Sequence, residues 1–426
     1  MRQRVGGSAA GRGIVGLLDV GTSKIVCLIA APQARSREAG GGPGGLRVYG
    51  VGHQRSRGLK AGVITDLEAA EQAVRDAVSQ AERMAGVELD EVFLSVSCGR
   101  LRSHNFAANA DVEAGVVTDN DIARVLAGGR AYAEREGRTL VHLNRYGFRL
   151  DGAAGVREPR GMAARKVSAD LHAVTADDAP LRNLMLVVER CYLSVAGIVA
   201  TPYASALAAT SEEERRLGVT CIDIGGGATT IAVFSEGQFL YTDAIPVGGN
   251  HITFDIARNL QTPLAEAERI KALYGTLVGA PSDEHEAFSF PLAGEEDGAL
   301  AHTTKARLTT VIRPRMASLA GLIEERLDRG KVRNYAGDRV VMTGGASQLV
   351  GIGEFMANTM GRPVRVARPQ QVPGLPQSVS SAAFSTVAGL FTAVSAGAGG
   401  VMMTEANGAM AVGYFGRVGQ WLREGF

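Results

Sequence analysis

At 426 residues the chain is long enough for two or more domains with a sizeable core. Its 45 basic and 44 acidic residues leave a net charge of +1, which argues against nucleic acid as a partner. No apolar run reaches the ~20 residues that cross a bilayer. Cys27, Cys98, Cys191 and Cys221 stand singly in apolar runs, without metal-ligand spacing, as buried reduced thiols of a cytosolic protein do.

Residues 1–12 are basic and glycine-rich with no apolar h-region, so they read as a disordered tail and not a signal peptide. Next comes Leu17-Leu-Asp19-Val-Gly21-Thr22-Ser23-Lys24-Ile-Val: an apolar strand, an acid, a glycine turn with hydroxyls, and a second apolar strand. The same order returns at Cys221-Ile-Asp223-Ile-Gly225-Gly226-Gly227-Ala228-Thr229-Thr230-Ile, 204 positions later (223 − 19). Each is a β-hairpin whose tip can hold phosphate, because glycine lets backbone N–H groups approach phosphate oxygens and permits positive φ. Lys24 adds charge neutralisation, and Asp19 and Asp223 suit a hydrated magnesium ion. Two such hairpins half a chain apart predict a duplicated fold gripping one nucleotide from both sides.

Between the hairpins, a loop at 32–45 leads to a strand at 46–51. A helix follows at 66–84, capped by Thr65 or Asp66 and stopped by Gly86, with Leu67, Val74, Val78 and Met84 toward one face. Residues 90–170 interrupt the rhythm. Strands at 91–97, 140–150 and 164–174 with a capped helix at 118–133 read as an inserted strand–helix–strand–strand subdomain. A helix at 181–192 precedes Gly218, where the second half opens.

In that half, helix 264–274 carries Glu268 and Lys271 on one face at i, i+3. They are at least a surface ion pair, and their place between glycine sites points to ribose or base contact. Residues 279–300 read as an acidic loop, and 309–329 as a long amphipathic helix that Pro314 either kinks or opens. A strand from Arg339 then meets Gly344 and Gly345 before another helix, a close backbone surface for a ribose or α-phosphate. The end, 414–426, is amphipathic: at 100° per residue Tyr414, Phe415, Val418, Trp421, Leu422 and Phe426 fall within about 140°. Thirteen residues span only ~20 Å, so this helix is expected to lie in an anionic membrane interface.

Two phosphate hairpins followed by strand–Gly-Gly–helix resemble the actin, Hsp70 and sugar-kinase ATPases. The insertion, Gly248-Gly-Asn-His-Ile-Thr-Phe-Asp255-Ile-Ala, Ala267-Glu-Arg-Ile-Lys-Ala-Leu-Tyr-Gly275, Ile312-Arg-Pro-Arg315 and the terminal helix together resemble the FtsA family of bacterial cell-division proteins, over roughly residues 13–426. The resemblance implies an α/β, actin-like duplicated fold with two halves around a nucleotide cleft. Subdomain IA would comprise 13–89, 171–216 and 380–397, and the insertion IC 90–170. IIA would comprise 217–247 and 306–379, IIB 248–305, with a linker at 398–413 before the membrane helix.

It further implies ATP and magnesium as ligands. The nucleotide residues would be Gly21, Thr22, Ser23, Lys24, Gly225, Gly226, Gly227, Thr229, Glu268, Lys271, Gly344 and Gly345, with Asp19 and Asp223 on magnesium through water. Its partners would be the acidic C-terminal tail of FtsZ near Arg313 and Arg315, further copies of itself in an actin-like filament, and later divisome proteins on the insertion. Its place would be the cytoplasmic face of the inner membrane at the septum. Two positions depart from the pattern: Ala228 stands where a hydroxyl is usual, and Thr201 where hydrolysing relatives orient water with Glu or Gln. Binding with slow hydrolysis at most is therefore expected. The alternatives are a small-molecule kinase or phosphatase of the same superfamily, or a pilus-assembly or plasmid-segregation actin relative.

Overall fold

The computed structural model describes residues 13–33, 45–134, 137–295, 300–397 and 402–403. The expected tail at 1–12, most of the linker at 398–413, and the helix at 414–426 with Phe415, Val418, Trp421, Leu422 and Phe426 lie outside the described residues. Among the described residues no helix is long and apolar enough to cross a membrane.

The first half opens with β1 (Val15–Val20), β2 (Lys24–Pro32) and β3 (Leu46–Arg55), paired antiparallel in sequence. A short pair follows, β4 (Leu59–Lys60) and β5 (Val63–Ile64). Then comes α1 (Leu67–Ala85), where the Asp66 carboxylate accepts the Ala69 N–H at 3.1 Å and Gly86 ends the helix in the left-handed region at φ 72°. Its buried face is Ala70, Ala73, Val74, Ala77, Val78 and Ala81, small side chains that let it lie close to β2 and β3. Met84, expected on that face, is 56% exposed. Ten residues beyond Val74 it has turned about 80° off the stripe.

Strand β6 (Glu91–Val96) pairs parallel with β1, and so belongs to the main sheet and not, as expected, to the insertion. The insertion is β7 (Arg102–Asp111), α2 (Asp119–Ala133), β8 (Arg138–Leu150), β9 (Ala153–Val156) and β10 (Lys166–Asp177). Its four strands run in the order β7-β10-β8-β9 with α2 packed against β7 and β10. β7 escapes sequence reading because Arg-Ser-His-Asn-Phe-Ala-Ala-Asn-Ala-Asp lacks the β-branched residues that mark a strand. The chain returns through α3 (Asp178–Arg190), β11 (Ser194–Ala200), α4 (Thr201–Ala209) and α5 (Glu212–Leu217).

The second half contains β12 (Val219–Ile224), β13 (Thr229–Ser235), β14 (Gln238–Ile245), α6 (Gly249–Leu260) and α7 (Leu264–Tyr274). Where an acidic loop was expected, β15 (Ala287–Pro291) and β16 (Leu300–Thr304) pair as a hairpin, with Phe288 and Phe290 buried. Helix α8 (Lys305–Arg329) starts earlier than expected, capped by the Thr304 hydroxyl, so Pro314 sits inside it rather than in its first turn. The half is completed by β17 (Val340–Thr343), α9 (Ile352–Met360) and β18 (Val364–Val366); the chain then returns to the first half, where α10 (Ser385–Ser395) packs against β1, β2 and β6, and β19 (Met402–Met403) pairs onto β11.

The two main sheets are copies in strand order: β11-β6-β1-β2-β3 in one, β18-β17-β12-β13-β14 in the other. In each, an antiparallel hairpin is flanked by a strand parallel to its first member. Helices α4 and α10 cross in near contact: a Cβ on Gly389 would stand 1.7 Å from the Ala204 carbonyl oxygen. That close crossing sets the side chains of both helices around the hairpin tips.

Candidate functional site

Each hairpin closes with the same turn. Gly21 N–H donates to the Lys24 carbonyl at 3.0 Å, and Gly225 N–H donates to the Ala228 carbonyl at 2.9 Å. The tips meet across a cleft. A Cβ on Gly226 would lie 3.0 Å from Ser23 Cβ, and one on Gly227 2.6 Å from Thr22 Oγ1, so only glycine fits opposite the first tip. Thr22 Oγ1 also accepts the Gly62 N–H at 2.9 Å. Gly21, Thr22, Ser23, Lys24, Gly225, Gly226 and Gly227 all line the cleft, as expected, with Asp19 and Asp223 at its floor.

Both aspartates are buried and held by hydroxyls. Ser95 donates to Asp19 at 2.5 Å, and Ser205 and Thr386 donate to Asp223 at 2.5 and 3.3 Å. Burial raises both carboxyls above their ordinary pKa, while the Lys24 ammonium opposes the rise. Burial in turn lowers Lys24, whose ammonium stands 5.0 Å over the Phe384 ring. Two desolvated carboxylates and one desolvated amine are poorly served by protein alone, and a hydrated cation with phosphate would complete them. Hard oxygen donors of this kind fit magnesium.

Thr230 lines the cleft, and its buried hydroxyl has no protein partner. Thr229, expected in that role, instead donates to the Val247 carbonyl at 2.7 Å, on the opposite face of β13. Gly344, at φ 91°, presses on the second hairpin: a Cβ there would stand 2.2 Å from Asp223 Oδ1. Gly345 has room for a side chain: a Cβ there would meet only Ala383 Cβ, at an ordinary 3.8 Å. The turn after Gly344 is a four-residue 3-10 helix, and α9 begins only at Ile352, so the N-terminus of α9 does not line the cleft as the sequence suggested.

Glu268 and Lys271 do not line the cleft around the hairpin tips. Lys271 Nζ donates to Glu268 at 2.6 Å, to Thr253 Oγ1 at 2.8 Å and to the Gly249 carbonyl at 3.3 Å. Gly249 abuts Ala346, which sets this ion pair just behind the Gly344–Gly345 turn. Thr201, first residue of α4, faces the cleft, and Asp19 and Asp223 are the only carboxylates among its described lining residues. Apart from the cleft, a groove between α6 and α8 is lined by Asp255, Arg258, Asn259, Thr310, Val311, Pro314, Arg315 and Ser318. Arg315 is bound there by Asp255 through two bonds of 2.6 and 2.8 Å. Arg313 is exposed, its guanidinium 5.3 Å from the Phe355 ring centroid.

Sequence reading missed Ser95, Ser205, Thr230 and Thr386. Nothing local marks them, since Ser95 and Thr386 stand 76 and 163 positions from the aspartates they hold.

Comparison with known proteins agrees with this architecture. The family model "Cell division protein FtsA" matches residues 220–389, and "SHS2 domain inserted in FTSA" matches 98–175, a span that takes in β7 and leaves out β6. The cell division protein FtsA of Rhizobium meliloti (strain 1021) is 41% identical over 422 residues, covering 97% of this chain and 95% of the relative. The one from Escherichia coli (strain K12) is 29% identical over 428 residues, covering 98% and 99%. Among solved structures the "PilM-PilN type IV pilus biogenesis complex" is similar in fold, with a TM-score of 0.60 over 89% of this chain and 98% of that one, at 14% identity. The pilus alternative thus rests on fold alone. With a relative 41% identical along almost the whole of both chains, the protein belongs to the FtsA family of cell-division proteins and carries an actin-like fold with that family's inserted subdomain.

Proposed function

We propose that the chain binds magnesium-ATP between its two hairpin tips and, in that state, assembles on the membrane and holds FtsZ filaments there. The observation that carries the nucleotide reading is the pair of identical glycine turns meeting tip to tip above Asp19 and Asp223. Backbone N–H groups of Thr22, Ser23, Gly226 and Gly227 would hold the phosphates, with Lys24 and the unpartnered Thr230 hydroxyl adding to the cradle. Gly344 and Gly345 would leave room for the ribose, and Glu268 and Lys271 would meet the ribose or base beyond them. Magnesium, bound through water to the two aspartates, would neutralise phosphate charge. Thr201 is too short to orient water as a carboxylate does, so turnover should stay below roughly 1 s⁻¹.

The partner surface we propose for the acidic FtsZ tail is the α6–α8 groove, which Arg258 and Arg315 line, and its border, where Arg313 stands exposed over Phe355 of α9. Opposite charge there favours fast, salt-sensitive association. Residues 414–426 would anchor the protein reversibly in an anionic surface of the inner membrane's cytoplasmic face, made firm by several copies in a self-assembled filament. The inserted subdomain would receive later divisome proteins.

Gly345→Val tests the site cleanly. Its Cβ meets only Ala383, at an ordinary contact distance of 3.8 Å, and stands in the cleft lining, whereas any substitution at Gly344 strains the protein itself. Calorimetry should show magnesium-ATP binding to the wild type and none to Gly345→Val, with an unchanged melting curve for the nucleotide-free proteins. Equal affinities would overturn the site.

A further inference from the structure

The inserted subdomain is rooted in the first half but leans on the second. β7 is an edge of the inserted sheet and β14 an edge of the second main sheet, and the two edges lie against each other. Asn105 Nδ2 donates to the Leu240 carbonyl at 2.9 Å, and Thr242 N–H donates to Ser103 Oγ at 3.2 Å. From β8, Asn144 Nδ2 reaches the Phe239 carbonyl at 3.3 Å. Behind these bonds the His172 and His142 rings stand edge-on to Phe239, at 4.9 and 5.2 Å between centroids. Each edge thereby covers backbone that an open sheet would present to other strands.

Both sides of this seam are tied to the cleft. β14 leads into residues 246–250, which are bonded to the second phosphate turn: Thr229 Oγ1 donates to the Val247 carbonyl, Gly249 N–H donates to the Gly225 carbonyl at 2.9 Å, and Asn250 N–H to the Gly226 carbonyl at 2.8 Å. On the other side, Arg138 laces the two chain crossings that root the insertion. It donates to the Arg100 carbonyl at 3.0 Å, to Thr175 Oγ1 at 2.9 Å, and pairs with Asp177. Asp177 N–H closes the root on the Gly99 carbonyl at 2.6 Å. The insertion therefore turns with the first half, and β14 turns with the second phosphate loop. A change of angle between the halves has to be taken up at the seam, where side chain-to-backbone bonds replace a continuous strand ladder.

We propose that the β7–β14 seam couples nucleotide occupancy to the orientation of the inserted subdomain, shut when the hairpin tips are held together and sliding open when they part. The proposal rests on the nucleotide reading above. It makes the insertion's set against the second half a readout of the cleft, with Ser103, Asn105 and Asn144 as the residues that hold it.

Backbone amide exchange on the full chain, with and without magnesium-ATP, tests it. Nucleotide should slow exchange across 221–230 in the cleft and, by about fivefold or more, across 102–106 and 238–243 at the seam, the low end of typical site-to-site coupling. Ser103→Ala with Asn105→Ala should keep the cleft protection and lose the seam response. Cleft protection with no seam response in the wild type would overturn the coupling and leave the nucleotide reading standing. No protection at either place would overturn both. A seam response that persists undiminished in the double variant would overturn the role given to these side chains. The wild-type comparison needs no substitution, so a variant that folds poorly does not remove the test.

Discussion

Among the groups through which acid should weaken this protein, one buried histidine can be followed by itself. His172 is fully buried behind the seam, and burial pushes its pKa from 6.5 down to about 3, with the His142 and His104 rings acting in the same direction. The folded state thus binds fewer protons than the unfolded state at acid pH. The stability this residue contributes is complete above pH 6.5 and is lost progressively as the pH falls from there toward 3. For a group with those two pKa values, the loss between pH 8 and pH 5 is RT ln(1 + 10^1.5), about 2 kcal/mol to order of magnitude. His172→Gln removes the titration while keeping a polar group near Ser103, at the cost of packing on Phe239. In urea unfolding at both pH values, the wild type should lead the variant at pH 8, and that lead should shrink by about 2 kcal/mol at pH 5. The same pH dependence in both proteins, or a His172 resonance titrating near 6.5 in the folded protein, would refute the reasoning.

Four further outcomes are expected. Gly389→Ala drives a Cβ into the Ala204 carbonyl and must part α4 from α10, which carry Ser205 and Thr386 to Asp223; it should cost about 1–3 kcal/mol in unfolding and weaken magnesium-ATP binding. A variant as stable as the wild type would mean that the helices do not cross so closely. Arg315→Glu sets a carboxylate beside Asp255 in place of a paired bond and should itself destabilise the protein, by about 1 kcal/mol given its partial exposure. Arg313→Glu should change stability by less than about 0.5 kcal/mol, so it tests the partner surface without that side effect. Its affinity for an acidic FtsZ tail peptide, read by fluorescence polarisation, should fall, and an unchanged affinity would exclude Arg313 as a contact. Trp421→Glu should release the protein from sedimenting anionic liposomes and leave nucleotide binding intact, whereas full liposome binding by a chain ending at 413 would exclude the anchor.

What the sequence determined by itself was whatever depends on residues a few positions apart. The two glycine turns, the Thr118 cap and the glycine stop of α1 are set by local hydrogen bonds and backbone freedom, and each stands where spacing placed it, while of the two caps that spacing allowed for α1 the structure takes Asp66. The doubling was legible for the same reason, because a hairpin is a local structure and it occurs twice. Only the tertiary structure decided which sheet takes each strand. Glu91–Val96 reads as a strand in any context, and its parallel neighbours β1 and β11 assign it to the main sheet. Tertiary packing also chose between Thr229 and Thr230, which are the same residue type on two buried faces of β13, and it bound Arg315 to Asp255, 60 positions away. Long-range pairing is fixed by which surfaces bury each other when the chain closes, and no local pattern carries that information. The shell of hydroxyls around Asp19 and Asp223, drawn from β6, α4 and α10, exists only once those elements have packed.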